Sequence, residues 1–105
     1  MKPGPAISTL ATRSFAGSDP LPAYRRLRER GRQLPDGLRY VDSWIEAGFH
    51  RCFQLMECDD LAILQRWILG WHGAGVTFEV VPVLHSRDTR PLVEPLLDDP
   101  LLEDR

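Results

Sequence analysis

The most constraining feature is a pair of aromatic and β-branched runs separated by one short, glycine-containing connection. Residues 38–45 read LRYVDSWI, residues 51–58 read RCFQLMEC, and Glu46-Ala47-Gly48-Phe49-His50 lies between them. Two such runs joined by a short loop predict an antiparallel hairpin. If Ile45 lies opposite Arg51, the cross-strand pairs are Trp44–Cys52, Ser43–Phe53, Asp42–Gln54, Val41–Leu55, Tyr40–Met56 and Arg39–Glu57. This register matches charge with opposite charge and apolar with apolar, and a slip of one residue would break both. It places Val41, Ile45, Phe53 and Leu55 on one face and Tyr40, Trp44, Cys52 and Met56 on the other. Both faces of the hairpin are therefore substantially apolar.

The flanking segments supply the rest of a small α+β domain. Asp19-Pro20 looks like a helix start, followed by Leu21, Tyr24, Leu27 and Leu34 at helical intervals among arginines. The turn Leu34-Pro35-Asp36-Gly37 leads into the hairpin. Asp59 or Asp60 caps a second helix reaching about Trp71, with Leu61, Leu64, Trp67, Ile68 and Trp71 on its apolar side. His72-Gly73-Ala74-Gly75 breaks it, and residues 76–84 (VTFEVVPVL) form the last strand, where Pro82 points to an edge or a bulge. With a weak strand at Ile7–Phe15, the order is β-α-β-β-α-β, the ferredoxin-like split unit. Residues 1–90 form this domain. In residues 91–105, Pro91, Pro95 and Pro100 precede the pairs Leu92-Val93, Leu96-Leu97 and Leu101-Leu102. Prolines so close together oppose one long helix, which leaves a frayed tail or an arm laid on a neighbouring subunit.

Two helices can cover only one face of a four-stranded sheet. The other would stay exposed and sticky, so the sheets of two copies are expected to pack face to face as a homodimer. The second hairpin face also holds Asp42 beside Gln54, framed by Tyr40, Trp44 and Met56. An apolar wall with one carboxylate and one amide suits a small-molecule pocket. Burial there would raise the Asp42 pKa and poise it as a general base or acid, with Tyr40 or Gln54 holding an oxyanion. The plain structural reading is that Asp42 and Gln54 bond each other across the strands or reach solvent. His72 is a candidate proton carrier at the pocket mouth, against the reading of a surface histidine at a helix end. The candidate substrate contacts are Trp44, Met56, Trp67 and Glu79. Trp67, four residues before Trp71, equally fits the core, and Glu79 fits an outward position on an edge strand.

Several classes drop out. No apolar run is long enough to span a membrane, the first twenty residues hold no apolar core of a signal peptide, and the expected setting is the cytoplasm. Net charge is −2, and the arginines of residues 25–32 interleave with Leu27 instead of exposed aromatics, so a nucleic-acid partner is not expected. Cys52 and Cys58 lack metal-type spacing and read as buried reduced thiols. No metal-ligand cluster or phosphate loop is visible, so no cofactor is expected. The reading that follows is a cofactor-independent cyclase, isomerase or dehydratase acting on a small hydrophobic oxygenated metabolite. The alternative is a non-catalytic dimer binding a ligand or a partner.

Three stretches carry a resemblance: Gly31-Arg32-x-Leu34-Pro35-x-Gly37-Leu38-x-Tyr40-x-x-Ser43-Trp44, then Arg51-Cys52-Phe53-Gln54-Leu55-Met56-Glu57-x-Asp59-Asp60, then Trp67 with Phe78-Glu79-Val80-Val81-Pro82. Over roughly residues 21–84 the chain resembles a bacterial family known as a domain of unknown function, whose members are similar to ferredoxin-like dimeric α/β-barrel proteins. The resemblance implies that fold and a dimer but carries over no catalytic residues. The polar first strand and the His72–Thr77 junction depart from the family pattern, and the proline-leucine tail is expected to fall outside it.

Overall fold

The computed structural model describes residues 7–98. Its elements are β1 (Ile7–Phe15), α1 (Leu21–Arg30), β2 (Arg39–Ile45), β3 (Arg51–Cys58), α2 (Leu61–Gly70), β4 (Val76–Val83) and α3 (Ser86–Leu97). A short 3-10 turn, Ala16–Ser18, joins β1 to α1. The architecture is α+β: one open antiparallel sheet in the order β2-β3-β1-β4, with three helices. β2 and β4 are its edges, which accommodates Pro82.

Alternation along the central strands sets the two faces. Thr9, Ala11, Arg13 and Phe15 of β1 and Cys52, Gln54, Met56 and Cys58 of β3 are all buried. Ala11, Phe15, Cys52, Met56 and Cys58 among them pack with Ala23 of α1 and with Leu64, Trp67 and the adjoining Trp71 of α2 into one core. Both helices therefore cover the same side of the sheet. Trp67 meets Phe78 edge-on at 5.2 Å between ring centroids and Trp71 at 6.4 Å. The Trp67 indole N–H donates to the Arg32 carbonyl at 2.9 Å, so its one polar atom is satisfied. Both cysteines are free and buried, and burial pushes the Cys58 thiol up from its ordinary pKa.

Local chemistry explains the ends of the helices. Pro20 takes the N-cap position of α1, and the Asp19 carboxylate behind it accepts the Leu21 N–H at 3.1 Å. Asp60 caps α2, accepting the Ala62 N–H at 2.9 Å. Asp60→Ala should cost about 1 kcal/mol of unfolding free energy, read as a lower denaturation midpoint at unchanged slope. In the turn before β2, Gly37 has φ +90°, and a Cβ there would lie 3.0 Å from Ile63 Cδ1. The left-handed backbone angle favours glycine here, and a larger residue would also have to displace the Ile63 methyl.

The tail departs from expectation. Instead of being broken by its prolines, the chain forms α3, a single helix containing Pro91 and Pro95. Each proline removes one intrahelical donor, but every residue of α3 is exposed. Water can therefore take the freed carbonyls, and the usual penalty of burying them is absent. The helix runs across position 90, and Pro100 and the Leu101-Leu102 pair lie outside the described residues.

Candidate functional site

The sequence-derived pocket depended on a single hairpin register, and β2 carries an irregularity that divides it. Arg39 pairs with Glu57 and Tyr40 with Met56, as expected. Beyond Tyr40 the register shifts at Val41, so that Asp42 pairs with Leu55, Ser43 with Gln54, Trp44 with Phe53 and Ile45 with Cys52. An extra residue in one strand sends every later side chain to the opposite face. The expected Asp42–Gln54 and Trp44–Cys52 pairs are thus replaced.

The cause lies in the residues at the shift. The Asp42 carboxylate accepts the N–H of Ser43 at 2.8 Å, a local bond of the kind that competes with the ladder. The Tyr40 hydroxyl and Ser43 Oγ meet at 2.6 Å, tying the two sides of the bulge together. The energetic logic is the same: an unbulged strand would put the Asp42 charge beneath the helices, where it has no partner. The bulge moves it out to solvent.

The candidate residues therefore fall into separate places. Gln54 and Met56 are fully buried, and Trp67 is 2% exposed, all under the helices. Tyr40 shares that face, half-buried, with the Arg32 guanidinium 3.8 Å from its ring centroid. Asp42, Trp44 and Glu79 are exposed and lie on the open face. His72 is exposed in the connection between α2 and β4. One chain does not assemble Asp42, Tyr40, Gln54 and His72 into a single acid–base constellation.

Two surfaces emerge in its place. The open face carries two rows of cross-strand neighbours: Trp44–Phe53–Thr12–Glu79 and Asp42–Leu55–Leu10–Val81. Its middle is apolar; of its three carboxylates, Glu57 pairs with Arg39, while Asp42 and Glu79 stand on opposite edge strands. With neighbouring strands about 4.8 Å apart, they are separated by about 14 Å, too far to share a proton within one copy. At one end, Glu46 chelates Arg51 with both oxygens, at 2.7 and 3.0 Å. That hydrogen-bonded guanidinium holds the Glu46 carboxyl below its usual pKa.

The second surface is the helix-covered side, where polar atoms lie buried without partners: Thr9 Oγ1, Arg13 Nε, Gln54 Oε1 and Trp71 Nε1. Sequence reading missed Arg13 and Thr9 because β1 looked weak and polar. The signal was nevertheless present, since a period of two places both on the face of Ala11 and Phe15. Among the described residues, no group of three or more His, Cys, Asp or Glu is placed to hold a metal ion. No described helix is long and apolar enough to cross a membrane.

No curated protein and no solved structure matches the chain. A family model described as "Domain of unknown function (DUF3303)" does match, over residues 10–97. That span begins within β1 and ends with α3, so the shared region includes the helix expected to lie outside it. The chain belongs to the DUF3303 family.

Proposed function

We propose that the protein is a ferredoxin-like domain acting as a homodimer, its two open sheets packed into an α/β barrel whose interior binds a small hydrophobic molecule. One observation carries the reading: the open sheet face is apolar at its centre, and neither α1 nor α2 covers it. The strand order β2-β3-β1-β4, with β1 and β3 central, supports the ferredoxin-like assignment. A sheet of four eight-residue strands presents a face of about 26 by 19 Å, or roughly 1,000 Å² for two copies. That is the lower edge of a stable interface. The α3 stripe of Leu92, Val93, Leu96 and Leu97, each at least 43% exposed, supplies further apolar area to clasp the partner.

Binding without chemistry suits the geometry best, because the acid, amide and histidine lie on different surfaces. A second reading, cofactor-independent proton-transfer catalysis on a hydrophobic oxygenated metabolite, is favoured by one observation. Asp42 and Glu79 share the open face, so a barrel closed by a second copy would enclose them. The two free buried thiols support a reducing, cytoplasmic setting.

The test of ligand binding is a titration with Nile red, an uncharged apolar dye. The expected result is saturable fluorescence enhancement by the wild type and its loss in Phe53→Asp, which places a charge on the chamber wall. Equal enhancement by both proteins would contradict a site on this face.

A further inference from the structure

A separate site lies beneath α1, on the side of the sheet away from the proposed dimer face. Arg13 points from β1 under the helices and is only 7% exposed. A guanidinium keeps its charge at any physiological pH, and a buried charge needs a counter-charge and filled hydrogen bonds. Arg13 has neither. Its Nη2 reaches only the Cys52 sulfur, a weak acceptor, at 3.6 Å, and its Nε has no partner. The two ion pairs among the described residues are Arg39–Glu57 and Arg51–Glu46, and neither involves it. Its guanidinium lies 5.2 Å from the Trp71 ring centroid, and a second cation, Arg26, lies 5.1 Å from the same ring. Arg26 bonds the Gln33 side-chain oxygen and the Gly70 carbonyl, so no carboxylate balances this pair of charges.

The space beside Arg13 limits the size of any group that could balance its charge. Arg13, Phe15, Ala23, Tyr24 and Leu27 line a small open-sided nook with room for about one water-sized particle. Tyr24 is also a wall of an open groove of ≈ 290 Å³ lined by Leu21, Arg25 and Arg28. Tyr24 is 43% exposed and stands between the two. We propose that Arg13 anchors a small monocarboxylate with an apolar tail. One carboxylate oxygen fills the nook and accepts from Arg13 Nε, while the tail lies along Tyr24 and Leu21. A water would fill the nook but bring no charge. A phosphate would press further charged oxygens against Phe15, Ala23 and Leu27, which offer no side-chain donors.

The test is a titration of the protein with sodium hexanoate at constant ionic strength, followed by the NMR signal of the Arg13 Nε–H group. Sodium chloride and 1-hexanol are the controls. Hexanoate is expected to shift the signal saturably, with neither control doing so. Arg13→Met, which fills the same space without charge, is expected to weaken hexanoate binding about ten- to hundredfold in calorimetry. No shift with hexanoate, or an equal shift with chloride, would overturn the proposal. The wild-type signal decides this even if the variant fails to fold. Because the readout lies on the helix side, its outcome is separable from that of the dimer.

Discussion

Trp67→Ala should remove about 3–5 kcal/mol of unfolding free energy, the largest loss expected from any single truncation here. Trp67 is 2% exposed, meets Phe78 and Trp71 edge-on, and ties α2 to the Arg32 carbonyl before β2. The substitution leaves a cavity at the centre of the core beneath the helices and strands the Arg32 oxygen without its donor. A domain of this length has roughly 5–15 kcal/mol to lose. In urea the midpoint should fall by about 2 M, given a slope of roughly 1–3 kcal/mol per molar. Wild type and variant must be compared at one protein concentration, since association adds to apparent stability. A loss below about 1 kcal/mol would mean that Trp67 lines an open pocket instead of the core.

Leu10→Glu should prevent the proposed sheet-to-sheet dimer while leaving the fold of the single chain intact. Leu10 lies near the middle of the open face, flanked by Leu55 and Val81. It contributes nothing to the cluster beneath the helices. Face-to-face packing would bury two like charges near the interface centre, at a cost of several kcal/mol per ion. A penalty of about 4 kcal/mol weakens association roughly a thousandfold. Val81→Glu, on the exposed edge strand, should act in the same direction. Unchanged circular dichroism with a halved mass is the expected signature.

Much of the fold was legible because it follows from local patterns. The strand bounds Ile7–Phe15 and Arg51–Cys58 follow from the pattern and match the structure, and of the two capping candidates, Asp59 and Asp60, it is Asp60 that caps α2. The site was legible only in part. Cross-strand matching favoured an unbroken register, and it held at Arg39–Glu57 and Tyr40–Met56. It failed beyond Val41, where the Asp42 carboxylate bonds its own neighbour's N–H, a bond that leaves no periodic trace. α3 runs against the proline rule: Pro91 and Pro95 each remove a donor and crowd the preceding turn, and exposure spares the helix only the cost of burying the freed carbonyls. Arg13 was hidden because a charged residue within a polar strand looks outward until its alternation with Ala11 and Phe15 is counted.

The central claim is that a second copy of the chain covers the open sheet face. Sedimentation equilibrium of the wild-type protein at micromolar concentration tests it most directly. The expected mass is twice that of the 12.0 kDa chain, falling to a single chain mass for Leu10→Glu. A wild-type mass of one chain at these concentrations, or a Leu10→Glu protein that sediments as the same dimer, would contradict it.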